Sequence, residues 1–146
     1  MAKTLSPCNF IPLLIAIALP LSLLSTAVDP PEVASAARCD PPYTPNACGI
    51  DEEHLPSNGL VGAVDEELWN KAGTPPCGAI FQVRCIEGPG ACRYGTTVNV
   101  TITDRIQQMV SAPSSPGVRF ALSSKAYGSI ADPGKDSIKI QYQKLS

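Results

Sequence analysis

Val98-Asn99-Val100-Thr101-Ile102-Thr103-Asp104 is the stretch on which the fold class turns. Three apolar residues at every second position alternate with Asn99, Thr101 and Thr103, the period of a strand with one buried face. The strand ends on an acid, Asp104. Working outward, Phe81, Val83 and Cys85 alternate with Gln82 and Arg84 in the same way. Ile138, Ile140 and Tyr142 alternate with Lys139, Gln141 and Gln143 near the end of the chain. Gly59–Val64 and Val118–Leu122 are shorter apolar runs, and Ser111–Gly117 (SAPSSPG) is turn chemistry. Asp65 is placed to cap a short helix, with Glu66 and Glu67 in its first turn and Leu68 and Trp69 on its apolar face. Ser123 is placed to cap a second, running through Ala131. Short strands with turns between them predict a small β barrel or sandwich carrying one or two minor helices.

The composition narrows the class. The chain has 146 residues, 11 Lys and Arg against 13 Asp and Glu, and a formal charge of −2 at pH 7. That balance lacks the clustered cations a nucleic-acid binder uses to displace counterions. With 15 Pro and 11 Gly, long helices and coiled coils are disfavoured. Phe10–Leu24 (FIPLLIAIALPLSLL) is an uncharged apolar run preceded by Lys3 and followed by the small residues Ser25, Thr26 and Ala27. This is the layout of a secretory signal, and Pro12, Pro20 and the short length argue against a membrane span. Residues 1–27 are read as a signal peptide, with cleavage after Ala27 favoured over cleavage after Ala36. Residues 28–37 are read as a flexible leader and 38–146 as the domain. The expected product is secreted and monomeric, and is not an integral membrane protein.

Cleavage would remove Cys8 and leave Cys39, Cys48, Cys77, Cys85 and Cys92. An exported chain makes disulfides of such residues by default, and spacing alone does not choose the pairs. No Cys-x-x-Cys occurs and His54 is the only histidine, so a metal site is not expected. Asn99-Val100-Thr101 is a glycosylation sequon on the strand face opposite Val98, Val100 and Ile102.

Asp40–Cys48 (DPPYTPNAC), Gly62–Trp69 (GAVDEELW), Cys77–Cys85 (CGAIFQVRC), Val98–Asp104 and Leu122–Asp132 (LSSKAYGSIAD) occur in an order that resembles the plant natriuretic peptide-like proteins. These are small secreted relatives of expansins with an endoglucanase-45-like domain, and the resemblance runs from about Ala37 to Leu145. It implies a six-stranded double-psi β-barrel with one or two short helices, no cofactor and an apoplastic location. It also implies roles in water and solute homeostasis or stress signalling, through a cell-surface receptor or wall polysaccharide. The resemblance to expansins implies the pairs Cys48–Cys77 and Cys85–Cys92, with Cys39 left as a free thiol. The loop Arg105–Gly117 lacks the Cys pair that holds it in many such proteins.

The same resemblance frames the chemistry. Glycoside hydrolysis in barrel relatives needs two carboxyl groups, an acid for the leaving oxygen and a base for water. Asp104 is similar to the aspartate of their Thr-Asp motif. The acid of their His-Phe-Asp-Leu-Ser motif falls on Ala121, and the histidine on Arg119, so the chain is read as non-enzymatic. For Asp104 two roles stay open: orienting a ligand, or accepting turn N–H bonds. Asp40, ahead of Pro41-Pro42, is read as structural, and His54 as part of a solvated acidic loop. Tyr43, Trp69 and Tyr94 are the aromatic candidates for a sugar surface, and Trp69 is assigned to the core. Candidate groove contacts are therefore Asp104, Tyr43 and Tyr94. In such proteins signalling is ascribed to the stretch corresponding to Cys48–Lys71. The sequence stops at Ser146 with no counterpart of the aromatic-bearing second expansin domain, which favours a signal or ligand role over wall loosening. N-terminal sequencing of the secreted protein should return Val28; recovery of Met1 or of the apolar run would refute cleavage.

Overall fold

A computed structural model describes residues 29–71, 74–88 and 90–146; the signal segment lies outside the described residues. Six strands close a barrel: β1 (Glu32–Cys39), β2 (Val61–Val64), β3 (Ile80–Glu87), β4 (Val98–Arg105), β5 (Phe120–Ser123) and β6 (Ser137–Lys144). Around the ring the order is β1-β5-β2-β4-β3-β6, with β1/β5 and β2/β4 parallel and the remaining pairs antiparallel. Two short helices follow strands, α1 (Glu66–Asn70) after β2 and α2 (Ser124–Ile130) after β5. Both caps form: Asp65 accepts from the Leu68 N–H, and Ser123 accepts from that of Ala126.

The alternating stretches fill the barrel. Phe81, Val83, Val98, Val100, Ile102, Phe120, Leu122, Ile138, Ile140 and Tyr142 all join one buried cluster. Phe120 packs tilted against Tyr142 and edge-to-face against Phe81, at centroid distances of 4.8 and 5.5 Å. Trp69 and Leu68 bring α1 onto this core, and Tyr127 and Ile130 bring α2 onto it. Two disulfides brace the loops. Cys48–Cys77 ties the chain ahead of β2 to the turn before β3, and Cys85–Cys92 ties β3 to the loop that follows it.

One boundary is corrected. Residues 28–37 were expected to be a flexible leader, but Glu32–Cys39 is the strand that closes the barrel. Ala36–Cys39 pair with β5, and Glu32–Ala37 pair with β6. Ala and Ser carry little strand propensity, so nothing local announces this strand. Its small side chains fit a crowded seam, with Ala36 and Ala37 fully buried between neighbours on both sides. Cleavage after Ala36 would remove most of the strand, whereas cleavage after Ala27 leaves it whole. The run at 118–122 is also shifted, since the strand begins at Phe120 and takes in Ser123.

Gly62 marks the tightest point. A Cβ there would lie 2.9 Å from the Ala121 carbonyl oxygen and from Val100 Cγ1. Backbone and core cannot both retreat, so Gly62→Ala should cost about 1–3 kcal/mol by overpacking. A thermal melt should show a midpoint lower by several degrees; an unchanged midpoint would contradict the close approach.

Candidate functional site

Strict alternation from Val98 would turn Asp104 into the barrel with Ile102. It does not, because the pairing with β2 jumps: Gly62 sits opposite Ile102, yet Ala63 sits opposite Asp104. Thr103 is the extra residue, a bulge that reverses the phase of the strand end. Asp104 thereby shares the outer face of β2 and β5 with Ala63 and Ala121, which are paired neighbours.

That face carries a small apolar floor. Cys39, Ala63 and Ala121 are buried together, apart from the main core, under Tyr43, Ile106 and Met109. Ala121, at 0% exposure, is sealed. Ile106 and Met109, supplied by the 105–117 loop, anchor that loop to the floor. Nothing in the sequence flags Ile106 or Met109, because their partners lie on three other strands.

Asp104 is 5% exposed. Its Oδ1 accepts the backbone N–H groups of Ala47 (2.9 Å) and Arg105 (2.8 Å). The Ala47 bond, together with Cys48 N–H to the Thr103 carbonyl (3.2 Å), pins the 40–50 loop to the end of β4. Of the two roles left open by the sequence, the geometry displays the acceptor of loop N–H bonds. Asn46 stiffens the same loop through three bonds to Tyr43 and Ile50.

Tyr43 is half-buried, and its hydroxyl is occupied. It donates to the Cys39 carbonyl (3.0 Å), accepts the Ser124 N–H (3.1 Å) and lies 3.2 Å from Ser124 Oγ. Cys39 is the free cysteine and is buried. Its Sγ donates to the Leu122 carbonyl at 3.3 Å. Burial, reinforced by the negative charges of Asp40 and Asp104, pushes its pKa up to about 12, so it stays a neutral thiol.

The remaining candidates lie elsewhere. Tyr94 is 69% exposed, in a loop held to the far end of α2 by Arg93 N–H bonding the Ile130 carbonyl (2.7 Å). Tyr43 meets the opposite end of that helix, and seven residues span about 10 Å. Asp104 and Tyr43 are thus brought together; Tyr94 is not. Arg119 points to α1, pairing with Asp65 (3.3 Å) and Glu67 (2.8 Å) and donating to the Tyr142 hydroxyl (3.3 Å). The Tyr142 bond and the two carboxylates hold it firmly protonated. Asp40 is exposed and paired with Arg38 at 3.3 Å. His54 is exposed in the turn at 52–54, 3.9 Å from Asp51. Beside the floor opens a polar cleft of about 320 Å³, lined by Arg38, Asp40, Ser111, Ser114, Lys135 and Asp136. Among the described residues no cluster of His, Cys, Asp and Glu gathers as a metal would require, and no helix is long and apolar enough to cross a membrane.

Comparison with known proteins places this geometry. The family described as lytic transglycolase, a double-psi β-barrel, matches residues 61–142. Expansin-like B1 of Arabidopsis thaliana is 36% identical over 96 residues, 61% of this chain and 34% of that protein. An EG45-like domain containing protein of Citrus jambhiri is 28% identical over 130 residues, covering 85% and 88% of the two chains. An apo expansin of Clavibacter michiganensis superposes with TM-score 0.58 at 17% identity, over 80% of this chain and 51% of that one. A mutant of the same expansin in complex with cellohexaose superposes at 0.53, also at 17% identity, over 79% and 51%. The chain spans about a third of the length of the curated expansins it matches. The solved structures share its fold.

The bonds to Asp104 carry a test. Asp104→Ala leaves the Ala47 N–H without its acceptor and should cost about 1–3 kcal/mol. Amide exchange at Ala47 and Cys48 should accelerate selectively; unchanged protection there would mean that the carboxylate does not hold the loop.

Proposed function

This chain belongs to the double-psi β-barrel family described as lytic transglycolase and is expansin-like and EG45-like within it; on that premise we propose that it works outside the cell by binding, without hydrolysing its ligand. The observation that carries the reading is Ala121, sealed at 0% exposure beneath Ile106 and Met109 where the resemblance puts a proton donor. Alanine has no proton to give, and Asp104 alone cannot serve both faces of a glycosidic bond. Arg119 is no substitute, because a guanidinium stays protonated throughout the working pH range. Wall polysaccharide is the ligand we favour, supported by the solved expansin in complex with cellohexaose. The signal-like N-terminus supports secretion, and the expansin-like relatives support the apoplast as its destination.

A second reading, natriuretic peptide-like signalling in water and solute balance, is favoured by one feature. Asp51–His54 is fully exposed and makes no contribution to the barrel core, while Asn46 and the Cys48–Cys77 bridge hold the adjoining segment firmly. Such a turn suits a receptor contact.

Sedimentation with insoluble cellulose and xylan, set against binding to plant membranes, separates the two readings. Reducing-sugar release from soluble cellulose derivatives, xylan and mixed-linkage glucan should stay at background at every pH. Turnover abolished by Asp104→Ala would overturn the non-hydrolytic reading and point to another carboxylate as its partner.

A further inference from the structure

On β3, opposite Ala121's strand β5 in the ring, and on the flanking β6 and the first half of β4, the outer faces form a second surface. With alternate side chains turned into the core, the middle of this surface is built from Asn99, Gln82, Gln143, Arg84 and Gln141, and the Glu87–Lys139 ion pair borders it. Register aligns them in rows. Asn99 faces Gln82, and Gln82 faces Gln143 across the next strand pair. Arg84 faces Gln141, which in turn faces Val33 of β1. The rows stand about 7 Å apart along strands spaced about 4.8 Å apart. Three of the five glutamines in the chain fall on this one face.

A crevice of about 230 Å³ opens on these rows, lined by Pro31, Gln82, Arg84, Thr97, Gln141 and Gln143. Its chemistry is selective. No carboxylate lines it, so it has nothing for a metal or a polycation. Arg84 is its one charge, and its Nε–H donates to Gln141 Oε1 at 2.6 Å. A polyanion would meet a single cation. Amides offer donors and acceptors side by side, matching hydroxyl groups that also do both. Pro31 and the 55%-exposed Val33 supply apolar surface for the C–H face of a sugar ring.

We propose that this amide-rich face binds a neutral, hydroxyl-rich polysaccharide strand, as a site separate from the groove at Asp104. The proposal rests on the polysaccharide-binding reading above and assigns it a location. Asn99 belongs to the Asn99-Val100-Thr101 sequon, and a glycan there would lie across the rows, so the test uses protein made without N-glycans in an oxidising compartment.

The experiment is a titration of the folded, disulfide-bonded chain with xylohexaose and cellohexaose, read by NMR and by calorimetry. Side-chain amide signals of Gln82, Gln141 and Gln143 should shift. A triple variant, Gln82→Ala with Gln141→Ala and Gln143→Ala, should bind at least tenfold more weakly while its melting midpoint stays near that of the parent. Should the triple variant lose stability, the single Gln82→Ala variant serves, since Gln82 makes no side-chain bond among those found; it should weaken binding several-fold. Shifts confined to Tyr43, Cys39 and Met109, with full affinity in the variants, would overturn this location and leave the binding reading standing. Absence of binding to any neutral glycan would overturn both. A receptor footprint on this face without any glycan response would likewise overturn the proposal.

Discussion

The register jump between β2 and β4 governs the outer surface of this barrel. Before it, Val98, Val100 and Ile102 feed the core in strict alternation. After it, the strand has gained one residue and its phase is reversed, so Asp104 stands outside beside Ala63 instead of inside beside Ile102. Burial of a carboxylate among Phe81, Phe120 and Tyr142 without a partner would cost several kcal/mol. The bulge removes that cost and hands the acid two backbone donors. The 40–50 loop, Tyr43 and the start of α2 then follow from where that carboxylate sits.

On the same face the chain fills its groove with its own side chains. Cys39, Ala63 and Ala121 are small, and the loop after β4 lays Ile106 and Met109 over them. In a hydrolase such a floor would hold a protonated acid within reach of a leaving oxygen. Here it holds methyl groups and a thiol that burial keeps neutral. Asp104 organises the loop beside it, and the floor next to it is filled by packing.

Much of the barrel was legible because strands with one wet face write their period directly into the sequence. β3, β4 and β6 each did so, and Asp65 and Ser123 announced the two helices through capping chemistry. β1 was hidden for a physical reason. Its Glu-Val-Ala-Ser-Ala-Ala sequence has one branched side chain, Val33, and no clear alternation, and its pairing comes wholly from β5 and β6. The direction of Asp104 was hidden as well, since the bulge depends on how β2 lies alongside. The placement of Tyr94 was hidden too, since its loop is held at the end of α2 remote from Tyr43 by a backbone bond that the sequence does not reveal.

The pairing of β1 with β6 has a temporal meaning. Glu32 and Tyr142, joined through a 2.6 Å hydrogen bond, are separated by 110 positions in the chain. The first strand must therefore wait for the last before the ring can shut, and most of its ladder is with that distant partner. Contacts of such span slow folding, because a long loop must be ordered before it is rewarded. During synthesis the unfinished sheet presents open edges on β1 and β3 until β6 emerges. A chain exported in extended form and folded only after release would assemble all six strands at once, without that exposed interval.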